Sequence, residues 1–167
     1  MPGKITESEY RALGELRYLI RRFLQEGDVT AKQAGLEPQQ YLLLLAVRGL
    51  PVGQEATISA LASRLSLRHH STVELIDRME AHGYVRRIRG REDRRQVLVA
   101  LQPRGARLLE KVVEQRIIEL RANGRSLVAA ISSLLEPRGN ILSPKNGRRG
   151  RSAVTPGKPA AAKKAGD

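Results

Sequence analysis

The residues best equipped for chemistry lie between positions 68 and 95, where eight arginines and all three histidines of the chain are gathered. They are of types that recognise rather than break bonds. In HHSTVELIDRMEAHG, Thr72, Leu75, Ile76 and Met79 recur at helical spacing and form an apolar stripe. Arg68, His69, His70, Ser71, Val73, Glu74 and Arg78 are left facing outward. Such a face offers guanidinium donors for guanine or phosphate and a carboxylate that accepts from a cytosine amino group. Its N-terminal end can also aim backbone N–H groups at phosphate. Farther on, Arg86, Arg87, Arg89, Arg91, Arg94 and Arg95 crowd ten residues that hold only two carboxylates, Glu92 and Asp93. Like charges facing each other across a ribbon oppose folding. The cluster therefore implies an anionic partner, a phosphate backbone or a groove.

Plainer roles exist for several of these residues. Arg78 could pair with the neighbouring Asp77 or Glu74, Asp93 could temper repulsion at the ribbon tip, and Arg86 and Arg87 could be solvated strand residues. His70 and Glu74 stand at i, i+4, but two ligands without a third make no metal site. There is no glycine-rich phosphate loop, no nucleophile–base pairing and no carboxylate cluster, so catalysis is not expected and neither a cofactor nor a metal is implied.

The elements that position these residues follow from periodicity. Residues 6–26 read as a first helix, with Leu13, Leu16, Ile20, Phe23 and Leu24 as its stripe, Thr6 or Ser8 as cap and Gly27-Asp28 as its end. That stripe is read first as a core face, with a subunit interface as the alternative. Glu37-Pro38 opens a second helix, apolar nearly all round from Tyr41 to Val47 and hence the most buried. Ser59 is the expected N-cap of a third helix carrying Leu61, Ala62 and Leu65 inward. Leu67-Arg68 makes the turn into the fourth, which Gly83 closes. Residues 84–89 and 96–101 read as an antiparallel pair of strands. Pro103 starts a fifth helix, Asn123-Gly124 breaks or kinks it, and a sixth carries Leu127, Val128, Ile131, Leu134 and Leu135. The expectation is a mainly α chain of six helices and a two-stranded β-wing: a winged helix-turn-helix over about 56–101, flanked by helices at 6–26 and 103–136. Those flanking helices carry more apolar surface than one such unit covers, which implies a homodimer.

Composition agrees with this outline. A chain of 167 residues with 41% hydrophobic content supports one domain, and 3% aromatics makes its core aliphatic. The formal charge is +13, of which residues 1–136 carry +6. A basic balance attracts nucleic acid or an anionic membrane surface and says little about fold. No run of 18 apolar residues is present, the first ten residues are too polar for a signal peptide, and the absence of cysteine removes disulfides and thiol redox sensing, so a cytoplasmic protein is expected. Residues 137–167, rich in Pro, Gly, Ala, Lys and Arg, should be a disordered basic tail with weak, sequence-independent attraction to DNA.

The ordered set LASRL (61–65), STVELIDRMEAHGYVRR (71–87) and REDRRQVLVAL (91–101), followed by Gly105, resembles the MarR family of bacterial transcriptional regulators. Asp93-Arg94-Arg95 matches that family's D-x-R wing signature, and the order of elements extends the resemblance over about 6–136. The resemblance implies a helical dimer held by its first and last helices, each subunit presenting one winged helix to double-stranded DNA. It implies repression in most members, and in many of them release by a small, often aromatic, anion bound between the dimer and DNA-binding parts. Carried over, Ser71, Val73, Glu74 and Arg78 occupy exposed positions of the recognition helix, Arg95 is the wing residue of the minor groove, and Asp93 orients a nearby arginine. The chain departs from the pattern at Glu74, where a basic or neutral residue is common, at His69-His70, and at Gln102 in place of a capping threonine. Tyr10, Tyr18, Phe23 and Tyr41 could line a pocket for an aromatic effector, although core packing also accounts for each. A non-specific architectural DNA-binding protein and a winged helix that binds proteins are the competing readings.

Overall fold

Thr6 starts the first element. Its hydroxyl accepts from the Glu9 amide while the Glu9 carboxylate accepts from the Thr6 amide, and this reciprocal cap launches α1 (Glu7–Gln33). The computed structural model describes residues 5–90 and 96–135. After α1 come α2 (Pro38–Arg48), α3 (Ile58–Leu65), α4 (His69–Ala81), β1 (Val85–Arg89), β2 (Val97–Leu101) and α5 (Pro103–Leu135). The architecture is the expected mainly helical one with a two-stranded wing, but five helices are present among the described residues where six were expected.

Two glycines account for the differences. Asn123-Gly124 does not break α5, which runs unbroken for 33 residues. A glycine inside a helix costs about 1 kcal/mol relative to alanine. That is too little to end a helix that has buried residues on both sides, Arg116 before and Ala130 after. Likewise α1 passes through Gly27, where an end near residue 26 was expected, because Gly27 is buried against the Arg116 guanidinium of α5. The true end lies at Gly35, with φ of +85°. There the Leu36 amide donates to the Ala31 carbonyl and the Gly35 amide to that of Lys32, while Leu36 and Ala31 bury together.

The core gathers around α2, whose Tyr41, Leu43, Leu44 and Ala46 are buried while Leu42 and Leu45 look outward. Leu61 of α3, Leu75, Ile76 and Met79 of α4, Val85 and Val99 of the ribbon, and Leu109 and Val112 of α5 close on it. Arg116, 7% exposed, joins α5 to α1: it donates to the Phe23 carbonyl at 2.6 Å, pairs with Glu119, and stacks 4.3 Å above the Phe23 ring. The stripe read as the core face of α1 is only partly that. Leu16 and Phe23 are half-buried, whereas Leu13, Ile20 and Leu24 are 52%, 43% and 59% exposed. The physical reason is that α1 packs chiefly against one helix, α5, with a smaller contact to α2, which leaves part of its stripe uncovered. Among the described residues, no helix is long and apolar enough to cross a membrane.

Candidate nucleic-acid interface

The helix-turn-helix is set by three local devices. Thr57, not Ser59, caps α3: its hydroxyl accepts from the Ala60 amide at 3.0 Å, so the helix begins two positions earlier than the expected cap allows. Ser66 then takes the left-handed conformation, φ of 53°, and the Leu67 amide donates to the Ala62 carbonyl. Finally Thr72, fully buried, donates its hydroxyl to the Arg68 carbonyl, and this fixes the first turn of α4 against the core. Gly83 closes α4 as expected, with φ of +69° and the Tyr84 amide bonded to the Met79 carbonyl.

Core packing fixes which side of α4 is free. Thr72, Leu75, Ile76 and Met79 are its buried residues, the stripe read from periodicity. Arg68, His69, His70, Glu74 and Arg78 are exposed, and Ser71 and Val73 are half-buried. Arg68 occupies the N-cap position without a side-chain cap, so among the described residues the first-turn amides carry no capping side chain. Neither pairing considered for Arg78 forms among the described residues; its carbonyl accepts from His82 Nδ1 at 2.6 Å, and its side chain borders a concavity with Gln39 and Gln40 of α2. Among the described residues, no group of three His, Cys, Asp or Glu could hold a metal.

The ribbon pairs Val85 with Leu101 through Arg89 with Val97, and the Gly90 amide donates to the Gln96 carbonyl. Arg89 is exposed near the outer end of β1. Arg91, Asp93, Arg94 and Arg95 lie outside the described residues. Arg86 is exposed, but Arg87 is not a solvated strand residue: its guanidinium bonds Asp77 at 2.6 Å and Glu80 at 2.5 Å, and its amide donates to Glu80 at 2.8 Å. The Arg87 backbone amide, opposed by burial and then aided by the Arg87 guanidinium, holds the Glu80 carboxyl below its ordinary range. Sequence reasoning missed this clamp, because alternation alone does not say which of two adjacent arginines finds a carboxylate. It also missed a third backbone segment: Ala56 accepts from the Val99 amide and Thr57 bridges Leu98, so the base of the ribbon is joined to the chain entering α3.

A model of the MarR family matches residues 34–96, which hold α2, α3, α4 and β1. An uncharacterized HTH-type transcriptional regulator of Bacillus subtilis (strain 168), YsmB, is 31% identical over 106 residues, 64% of this chain and 70% of the relative. The chain belongs to the MarR family. It is a DNA-binding transcriptional regulator of winged helix-turn-helix architecture. Solved MarR-family structures share its fold. One from Bacillus stearothermophilus superposes with a TM-score of 0.62 at 24% identity, covering 77% of this chain and 93% of the other. RV1404 of Mycobacterium tuberculosis also reaches 0.62, at 22% identity over 83% and 99% of the two chains. CouR of Rhodococcus jostii RHA1, solved bound to p-coumaroyl-CoA, reaches 0.58 at 20% identity over 72% and 85%. The MarR family is one of transcription regulators, not of enzymes.

Proposed function

We propose that this MarR-family chain is a homodimeric repressor that reads a pseudo-palindromic operator, with α4 in the major groove and the ribbon tip in the minor groove. The observation that carries the reading is the outward side of α4: Arg68, His69, His70, Glu74 and Arg78 are exposed and form no ion pair among the described residues. Ser71 and Val73 complete that face. Glu74 accepts from a cytosine amino group and, repelled by phosphate, favours selectivity over bulk affinity. Arg89, Arg91, Arg94 and Arg95 supply the charge for a narrow groove, with Asp93 orienting one of them. Residues 137–167 add attraction without sequence preference.

The dimer reading is supported by unpartnered apolar residues on both long helices. Leu13, Ile20 and Leu24 of α1 and Ile117, Leu120, Val128 and Ile131 of α5 are all more than 40% exposed. A soluble monomer has no use for so much apolar surface on two adjacent helices. The four aromatic residues do not gather into an effector pocket: Tyr10 and Tyr18 are exposed, Tyr41 is buried, and Phe23 lies under Arg116. A concavity of about 510 Å³ between the end of α2, the end of β2 and the start of α5 suits an effector better. Arg48 there can meet an anion, and Leu101, Leu109 and Val113 an apolar body. The protein acts in the cytoplasm, where its operator is.

Genomic fragment selection with the purified full chain, followed by footprinting at two salt concentrations, tests the reading. Protection of a short inverted repeat at both, with half-sites about 10–10.5 bp apart centre to centre, is the expected result. Featureless binding that collapses with salt would replace it with an architectural role, to which the charge of +13 lends weight.

A further inference from the structure

β1 and β2 are each tied to the helical body at the same rung. Arg87 and Val99 face each other across the ribbon. On the β2 side the Val99 amide donates to the Ala56 carbonyl at 2.9 Å. On the β1 side Arg87 binds Asp77 and Glu80, which stand three residues apart on one face of α4. Beyond this rung the ribbon continues through Ile88–Leu98 and Arg89–Val97 toward the tip, with the Thr57–Leu98 bridge as its outermost backbone link to the body among the described residues. The Arg87–Val99 rung is thus where the wing takes its direction.

The chemistry of the tie is directional. A planar guanidinium that splits its two terminal nitrogens between two carboxylates, while its own backbone amide holds one of them, fixes both distance and angle. An ammonium can do neither. The partners are part-exposed, with side-chain accessibilities of 28% for Arg87, 58% for Asp77 and 37% for Glu80. Pairs so open to water contribute little to stability. What three such bonds supply here is a fixed geometry between the helix that carries Arg68 to Glu74 and the strand that carries Arg89.

We propose that Arg87 is a positioning residue for DNA recognition: with Asp77 and Glu80 it locks the wing at a set angle to α4, so that the major-groove and minor-groove readers engage one half-site as a unit. Arg87 itself touches no DNA. The inference rests on the groove-reading role proposed above and adds to it the source of register between the two readers.

The test compares the full-length protein with Asp77→Asn/Glu80→Gln and with Arg87→Lys, which keeps the charge and loses the fork. Hydrogen exchange of the free protein comes first. The amides of β1 and β2 are expected to exchange faster in both variants while those of α1 and α5 do not change. On the selected operator, the ratio of specific to random-sequence affinity should fall by about tenfold in both variants. Hydroxyl-radical protection by the wing should blur while protection of guanine N7 under α4 persists. Random-sequence affinity should hold or rise, since the double variant removes two negative charges. If Arg87→Lys keeps the wild-type ratio and footprint, or if the ribbon loosens with no change in either, the proposal is overturned. If Arg87→Gln weakens specific and random binding equally and lowers the salt slope by about one, Arg87 is a phosphate contact and the proposal falls. A wild-type protein that selects no operator would overturn the groove-reading role alone, since hydrogen exchange still reads the clamp.

Discussion

At Gly105 the backbone of α5 presses on the backbone of Tyr84: a Cβ there would stand 2.2 Å from the Tyr84 carbonyl oxygen and 2.9 Å from its carbon. That carbonyl already accepts from the Gln102 amide, so it has no freedom to retreat. Gly105→Ala is therefore expected to lower stability by about 2–3 kcal/mol through forced backbone displacement, read as a shifted urea midpoint at unchanged slope. Glu80 yields a prediction of a different kind. Its folded-state pKa is depressed, so its contribution is present above its unfolded pKa and is lost as pH falls through the folded value. Melting temperatures measured from about pH 6 down to pH 3 should fall less steeply for Glu80→Gln than for the parent. Equal slopes would deny the Arg87 bonds any energetic weight. Neither residue's role was legible in the sequence alone. Gly105 belongs to the set that resembles the family, yet the reason for a glycine is a carbonyl 21 positions earlier, and nothing local separates Arg87 from Arg86. The buried stripe of α4 was legible because Thr72, Leu75, Ile76 and Met79 encode it within one element.

A local signal is enough to place the end of α4, but not the start of α3, where Thr57 and Ser59 are both capping types and only Thr57 caps. Gly83 closes α4 with a glycine, a left-handed turn and a following apolar residue, all adjacent in sequence. The same pattern stands at Ala34-Gly35-Leu36, but the earlier Gly27 drew the end of α1 forward, because its burial depends on Arg116 in another helix. Gly124 misled in the same way. It lies within α5, and a Cβ there would meet only the Leu120 side chain, at 3.3 Å. Since Leu120 is 45% exposed, with room in the single chain for its side chain to give by a few tenths of an ångström, and the backbone is ordinary helix, Gly124→Ala is expected to stabilise the protein by about 0.5–1 kcal/mol. A rise in melting temperature checks this, and a fall would mean that Leu120 is held in place by something beyond the monomer.

At the scale of the whole molecule, the outer apolar residues of the two long helices stand without cover in the single chain. Leu13, Ile20 and Leu24 recur on α1 and Val128, Ile131 and Leu135 on α5, all exposed in the single chain. If a second copy covers them, Leu13→Glu combined with Ile131→Glu should convert a sedimenting dimer to monomer at micromolar concentration, because two buried charges per subunit cannot be desolvated without partners. Operator affinity should drop with it, since one half-site replaces two. A parent protein that sediments as a stable monomer would end the dimer reading outright. The sequence carried this expectation through excess helical hydrophobicity. It did not tell which of the stripe residues on α1 serve the core, because whether Leu16 or Leu13 is covered depends on packing against other helices and not on its local sequence.

One further consequence concerns α5 as a mechanical part. Thirty-three residues in an unbroken helix make a rod about 50 Å long. Its near end is pinned at Tyr84 and continuous with β2 through Gln102. A tilt of about 10° at that pin sweeps the far end through roughly 9 Å. In the dimer proposed above, whose half-sites would lie about 34 Å apart, a lever of this ratio would tie the spacing of the two reading helices to how tightly Gly105 is held against Tyr84.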